Sequence, residues 1–371
     1  MKILTIIGAR PQFIKAATVS REVARRRSLG DNIQEILLHT GQHFDKNMSD
    51  IFFEELKIPK PDINLGINSS SHGKMTGEML SKIEEVLQEK KIDVVLVYGD
   101  TNSTLAGALA ASKLGIPVAH VEAGLRSFNL AMPEEINRAL TDRISTYLFT
   151  PSKTASNNLR KEGYPLILTK DKKQEIIECG DVMYDASEFY KPIYQDMALD
   201  NKLKVDSGRF IFCTLHRQEN TDNYHRLKSI INALNVFSEE MKIVFPIHPR
   251  TNKIIKTHSD IKLSKNIEVI EPLGYLETQS LIIKSAGVLT DSGGLQKEAY
   301  FHKKKCVTVR DETEWTELSE IGVNSVVGAK TEKILEALKI HVDFSKVSKT
   351  VYGNGDSAEK IIDSLMAHLG E

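Results

Sequence analysis

Short apolar runs alternate with amphipathic stretches along almost the whole chain, and this alternation limits the fold more than any other feature. Val94-Val95-Leu96-Val97 is continuous rather than alternating. Such a run marks a strand covered on both faces, as in a parallel sheet flanked by helices. In the N-terminal half the pattern predicts strands at 2–7, 35–39, 93–98, 118–122, 147–150 and 175–179. Helical patterns fall between them, near 12–27, 46–57, 74–90, 102–114, 134–145 and 153–162. Repeated strand–helix alternation calls for a doubly wound α/β sheet. The pattern pauses from Gly180 through a polar segment to about Ser207, then resumes. Strands are expected at 209–214, 242–247, 267–270, 287–290, 305–309 and 325–327, with helices near 222–240, 275–285, 295–302 and 332–340. A last amphipathic helix, 356–369, follows a Gly-Asn-Gly turn. The 371 residues exceed the roughly 250–300 that one core usually covers. The two halves read as two copies of one architecture, and a cleft between two such domains is a natural ligand site.

Charge narrows the partners. Lys+Arg number 49 and Asp+Glu 50, for a net charge of −1. That balance gives no general attraction to nucleic acid or to an acidic membrane. The apolar start, Met1 to Ile7, is too short for a signal peptide or a membrane span and ends at Gly8. Cys179, Cys213 and Cys306 lack any C-x-x-C spacing and are odd in number. Buried, reduced thiols in a cytoplasmic protein are the expectation.

The candidate chemistry sits at strand ends, where open α/β sheets place their ligands. Gly8-Ala9-Arg10-Pro11-Gln12 follows the first strand and opens the first helix. A helix N-terminus with Arg10 and Lys15 suits an anion, although both side chains also suit a solvated surface. No G-x-G-x-x-G follows a strand, so a dinucleotide cofactor has no support. Asp100 closes the third strand, as either a helix N-cap or a catalytic carboxylate. Glu122 ends the next strand. Glu134 lies in the first turn of a helix opened by Pro133, where it either favours the helix start and pairs with Arg138 or joins the site.

In the second half His216 and Arg217 follow a strand, as do His248-Pro249-Arg250. Asp291-Ser292-Gly293-Gly294 follows another and opens a helix. Paired glycines let backbone amides approach a ligand, and Ser292 with those amides suits a phosphate. Glu298, a turn later, suits the two hydroxyls of a ribose. A plain turn and cap is the alternative. His39 and His43 stand four apart, but His39 ends a strand, Gly41 interrupts and there is no H-E-x-x-H, so no metal is expected.

Six motifs occur in order: Gly8-Ala9-Arg10-Pro11, Gly99-Asp100-Thr101-Asn102, His120-Val121-Glu122-Ala123-Gly124-Leu125-Arg126, Pro133-Glu134-Glu135-Ile136-Asn137-Arg138, His216-Arg217-Gln218-Glu219-Asn220 and Asp291-Ser292-Gly293-Gly294. On these the chain resembles, over essentially its whole length, the non-hydrolysing UDP-N-acetylglucosamine 2-epimerases. The resemblance implies two Rossmann-like domains in a GT-B arrangement with the active site in the interdomain cleft. Their expected limits are 1–182 and 183–355, with helix 356–371 packing back on the first. It implies elimination of UDP across C1 and C2 through a 2-acetamidoglucal-type alkene, then re-addition with C2 reprotonated on its other face, with no redox cofactor or metal. It makes Asp100, Glu122 and Glu134 the proton-transfer and electrostatic group, with His216 assisting at the leaving pyrophosphate. Arg10, Ser292, Gly293, Gly294, Glu298 and Arg310 would hold UDP, with Lys15 and Arg138 also on the substrate. The segment 271–275, ending at Tyr275, would meet the uracil. A cytoplasmic homodimer acting on a UDP-sugar and UDP is the implied state.

Departures from the family pattern point to a subgroup. Thr313-Glu314-Trp315-Thr316-Glu317 carries a tryptophan where an arginine at the site's edge is common. The segment before Pro133 is short, and Ala9 and Gln12 stand where Thr and Glu are common. These choices resemble the enzymes that epimerise UDP-2,3-diacetamido-2,3-dideoxyglucuronic acid to its manno isomer for lipopolysaccharide O-antigen. The parent UDP-N-acetylglucosamine reaction is the alternative, followed by a hydrolysing epimerase, a GT-B glycosyltransferase and a non-catalytic nucleotide-sugar-binding module. Gln42 and His43 match part of an activating second site in the parent enzymes, but the arginine expected near Lys74-Met75 is absent.

Overall fold

The computed structural model describes residues 1–41, 56, 58–68, 71–170, 173–199, 203, 205–348 and 350–370, apart from the Arg10 side chain. The expected helix over 46–57, and Gln42 and His43, lie outside the described residues. The chain divides into two compact units, Met1–Glu188 with Thr350–Glu371, and Phe189–Lys349.

The first unit is built on β1 (Lys2–Ile7), β2 (Gln34–His39), β3 (Ile63–Asn64), β4 (Val94–Tyr98), β5 (Val118–Val121), β6 (Tyr147–Thr150) and β7 (Glu175–Glu178). They form one seven-stranded sheet in the order β3-β2-β1-β4-β5-β6-β7, with every pairing parallel. The connecting helices are α1 (Arg10–Ser28), α2 (His72–Glu89), α3 (Asn102–Lys113), α4 (Pro133–Ile144) and α5 (Lys153–Lys161). All five residues of β4 are fully buried, which is why its sequence is unbroken apolar rather than alternating. Burying each such Val or Leu is worth roughly 1.5–3 kcal/mol.

The second unit uses β8 (Phe210–Thr214), β9 (Lys242–Pro246), β10 (Ile267–Ile270), β11 (Gly287–Thr290), β12 (Lys305–Thr308) and β13 (Asn324–Val326). Their order is β10-β9-β8-β11-β12-β13, again all parallel. In each sheet strand order reverses beside the unit's first strand, between β1 and β4 and between β8 and β11. These are the topological switch points at which such sheets bind ligands.

One helix was not anticipated. α6 (Val182–Gln195) occupies the segment read as a pause, and the boundary between the units falls within it. Val182, Met183, Ala186, Tyr190 and Tyr194 are buried at helical spacing. Gly180-Asp181 before it and Pro192 inside it mask that period. The second unit adds α7 (Gln218–Thr221), α8 (Tyr224–Phe237), α9 (Pro249–Thr257), α10 (Tyr275–Lys284), α11 (Gly293–Phe301), α12 (Thr316–Glu320) and α13 (Thr331–Lys339). The last helix, α14 (Ser357–Leu369), packs on α1 within the first unit. An Arg26–Asp363 ion pair joins the two helices, and Asp185 accepts the Ala358 amide at 2.8 Å.

The three cysteines are free and buried. Burial raises all three thiols, Cys306 to about 12. No described helix is long and apolar enough to cross a membrane.

Candidate active site

At the first switch point, β1 and β4 end side by side and Gln12 ties their loops together. Its side-chain carbonyl accepts the Gly8 and Ala9 amides at 2.8 and 2.9 Å. Its NH2 donates to the Tyr98 carbonyl at 2.7 Å and to the Thr101 and Thr104 hydroxyls at 3.0 Å. The Gly8 and Ala9 amides, which an anion at this helix start would use, therefore already have an acceptor. Gly8 has no room for a side chain, since a Cβ there would sit 2.0 Å from the Ser103 hydroxyl.

Asp100 follows directly. It is not the cap of α3: Thr101 is, accepting the Thr104 amide through its hydroxyl at 3.3 Å. The Asp100 side chain is 29% exposed and ion-pairs with Arg138. Asn137 donates to the Asp100 carbonyl at 2.9 Å. Glu122, at the end of β5, ion-pairs with Lys15. It holds a left-handed backbone, φ 76°. For a non-glycine residue that conformation costs of order 1–3 kcal/mol and persists only where the surroundings enforce it. A Cβ on Gly99 would lie 3.2 Å from the Glu122 carboxylate and 3.4 Å from the Lys15 ammonium. Lys15, Glu122 and Gly99 thus converge beside Asp100.

The enforcement is visible in a buried polar cluster beneath. Both ring nitrogens of His120 face oxygen acceptors, Asp142 and the Gly99 carbonyl, each at 2.7 Å. Asp142 also takes the Gly124 amide at 3.1 Å and Arg126 at 2.7 Å. Burial opposes its charge, but His120 and Arg126 prevail and hold its carboxyl below the ordinary aspartate value. One carboxylate thereby fixes the turn after Glu122 and, through His120, the peptide before Asp100.

Glu134 is exposed in the first turn of α4. Its neighbour Glu135 is the buried one. It accepts the amides of Ser127 and Phe128, both at 3.0 Å, and pairs with Arg138 at 3.0 Å. Loop 127–132 is therefore connected through Glu135 and Arg138 to Asp100. Phe128 and Leu130 within it are 73% and 70% exposed.

At the second switch point Asp291, fully buried, accepts the backbone amides of His216 at 3.0 Å and Arg217 at 2.9 Å, and the Asn220 side chain at 3.3 Å. The His216 ring is 47% exposed and lies 3.8 Å from Asp291. Partial burial, with Arg217 and His248 nearby, lowers its pKa against the opposing pull of Asp291. Ser292 precedes α11 and makes no side-chain cap bond, which leaves the helix-start amides for a ligand. A Cβ on Gly293 would fall 2.4 Å from a Glu314 oxygen, so a side chain there would have to displace the Glu314 carboxylate. Gly294 is exposed beside it.

Arg310 is buried and donates to Glu314 at 2.9 Å. Tyr275 is the first residue of α10, its ring edge-on to Tyr190 at 6.0 Å. Glu298 lies in α11 and accepts from Gln279 at 2.8 Å. Trp315 is buried, with the Lys297 ammonium 4.0 Å over its ring. It lies under the Ser292–Gly294 turn rather than at an exposed edge, 3.8 Å from where a Gly293 Cβ would be.

Within the first unit the structure brings together Lys15, Asp100, Glu122 and Arg138. Within the second, Ser292 and Gly293 open α11 and Glu298 follows more than a turn inside it, with His216 tied to Asp291. Gln12, Glu135, Asp142 and Gln279 were missed. Only Gln12 carried a signal, its place one turn after a strand-ending glycine. Among the described residues no group of three His, Cys, Asp or Glu could hold a metal ion.

Two Rossmann-like units, with ion-paired carboxylates at one switch point and a helix start without a side-chain cap at the other, define a doubly wound α/β class of protein. A model of the UDP-N-acetylglucosamine 2-epimerase family matches residues 26–366. The chain belongs to that family. It is 50% identical to UDP-2,3-diacetamido-2,3-dideoxy-D-glucuronate 2-epimerase of Pseudomonas aeruginosa, over 98% of this chain and 99% of that one. It is also 50% identical to a UDP-N-acetylglucosamine 2-epimerase homolog of Methanococcus maripaludis, with the same coverage. Its structure matches UDP-GlcNAc 2-epimerase of Methanocaldococcus jannaschii, solved in complex with UDP-GlcNAc and UDP. The TM-score is 0.86 at 44% identity, over 99% of this chain and 100% of that one.

Proposed function

We propose that the protein inverts C2 of UDP-2,3-diacetamido-2,3-dideoxyglucuronate, giving the manno isomer for surface-polysaccharide synthesis. The Pseudomonas aeruginosa relative supports this substrate. The observation that carries the chemistry is the convergence of Glu122, Lys15 and Gly99 beside Asp100. A C2 hydrogen beside an acetal carbon is not acidic. Departure of UDP must therefore build positive character as the proton leaves. The C1–O bond to UDP breaks, its electron pair leaves with the phosphate, and the C2–H pair becomes the C1=C2 bond. Re-addition of the phosphate oxygen to C1, with a proton delivered to the opposite face of C2, completes the inversion. The balance is redox-neutral.

In this reading Asp100 and Glu122 exchange protons with C2, and Glu134 adds negative charge at the edge. Lys15 and Arg138 orient the two carboxylates through their ion pairs. Ser292, Gly293, Gly294, Arg10 and Arg310 hold the diphosphate, His216 assists its departure, Glu298 takes the ribose, and the segment at Tyr275 meets the uracil. A cytoplasmic homodimer is the proposed state, and the exposed Phe128, Leu130, Ile136 and Leu140 suit a subunit contact.

The test is incubation in deuterium oxide with each UDP-2-acetamido sugar, following C2 by NMR. Deuterium at C2 and a gluco/manno pair still attached to UDP are expected with the diacetamidouronate. Exchange only with UDP-N-acetylglucosamine would favour the second reading, which the Methanococcus maripaludis and Methanocaldococcus jannaschii relatives support. Release of free sugar, or exchange with none, would reject both.

A further inference from the structure

Behind the proposed nucleotide seat runs a polar chain that none of the sequence motifs includes. Glu298 on α11 and Gln279 on α10 are both buried, and His302 closes α11. Gln279 donates its NH2 to Glu298 at 2.8 Å. The Gln279 carbonyl faces the His302 Nε2 at 2.6 Å. With the Glu298 carboxylate ionised, one arrangement of hydrogens satisfies both contacts. An amide nitrogen can only donate and an ionised carboxylate can only accept, so the amide oxygen must face His302, and His302 must carry its hydrogen on Nε2. Burial, with Lys191 and Lys304 nearby, lowers the His302 pKa to about 3, which keeps the ring neutral. The Tyr194 ring stands edge-on to it at 5.4 Å.

We propose that Gln279 and His302 are positioning residues for nucleotide recognition: His302 orients the Gln279 amide, and Gln279 fixes the plane of the Glu298 carboxylate that reads the ribose. The proposal rests on the assignment of Glu298 to the ribose. A fully buried amide must find partners for both ends or bear a desolvation cost. A position that served packing alone would be filled more cheaply by an apolar side chain. Here the donor end meets a carboxylate, and the acceptor end meets a ring whose proton position is fixed. Locking the carboxylate before binding removes the entropy of orienting it when the nucleotide arrives.

The test compares wild type with Gln279→Met, Gln279→Glu and Glu298→Ala. Affinity for UDP and for 2′-deoxy-UDP is measured by calorimetry, and KM and kcat with the UDP-sugar. Wild type should prefer UDP, and Glu298→Ala should lose that preference. Gln279→Met should weaken the preference and raise KM about tenfold with kcat retained, the expected cost of one hydrogen bond to a charged group. Gln279→Glu, nearly isosteric, sets two carboxylates in contact, so its KM should rise with pH where that of wild type does not. If both Gln279 variants keep wild-type KM and preference while Glu298→Ala loses it, the relay is wrong and the ribose assignment stands. If Glu298→Ala keeps the preference, the ribose assignment itself fails.

Discussion

The two switch points use carboxylates in opposite ways. In the first unit Asp100 and Glu122 end strands, each against a cation, and Asp100 keeps 29% of its side chain exposed. In the second unit the carboxylate at the corresponding place, Asp291 after β11, is fully buried and turned inwards to backbone amides. A carboxylate held by a side-chain cation at a strand end stands where such sheets meet their ligands. One consumed by amides is a structural post that shapes a loop. The same topological position thus carries a partly exposed, cation-paired carboxylate in one unit and a buried scaffold in the other.

That contrast can be broken by substitution. The largest effect is expected from Asp100→Asn and Glu122→Gln. Each should slow C2 exchange on the order of 10³-fold, within the range for a lost acid–base group. UDP affinity by calorimetry and the melting temperature should stay near wild type. Normal exchange in both variants would remove the first-unit site.

Asp291→Ala should act on stability instead. It leaves the His216 and Arg217 amides and the Asn220 side chain without their acceptor. A loss of about 3 kcal/mol in urea unfolding is expected, typical of a buried polar group stripped of its partner. A variant as stable as wild type would show that Asp291 is no post.

The contrast also explains what could be read in advance. Both sheets were legible because unbroken apolar runs such as 94–97 have no other comfortable home. The strand-end placement of Asp100, Glu122 and Ser292 followed from that. The network that orients them was not legible. Asp142 sits in the last turn of α4 between Thr141 and Arg143, and nothing local distinguishes it from a solvated aspartate; only the fold brings His120 and Arg126 to it. Glu134 and Glu135 are adjacent, and which of the two is buried depends on how α4 lies on the sheet. α6 was hidden because a proline and a Gly-Asp pair obscured a good helical period.

Glu135→Gln sharpens the first-unit side of the comparison. The change keeps shape but removes the charge shared by loop 127–132 and Arg138. About 2 kcal/mol of stability should be lost, as for hydrogen bonds to a charged acceptor. Cleavage at exposed Phe128 by chymotrypsin should quicken. An unchanged cleavage rate would sever the link between that loop and Asp100.

The smallest effect separates the units by pH. Burial lowers the folded-state pKa of His302 to about 3 from 6.5, so the unfolded chain takes the proton first. Stability present above pH 6.5 is therefore lost as the pH falls towards the folded value, by up to about 1.4 kcal/mol per pH unit. Asp142 in the first unit also has a lowered pKa, but its contribution is lost only below the ordinary aspartate value of 3.8. Between pH 6 and pH 4.5 the second unit should weaken first. Trp315, the single tryptophan, lies in that unit and reports it alone. Urea unfolding followed by its fluorescence should show the midpoint falling across this range in wild type, and falling less in His302→Gln. Equal slopes in the two proteins would mean that His302 does not titrate on unfolding, and the acid sensitivity of the second unit would need another source.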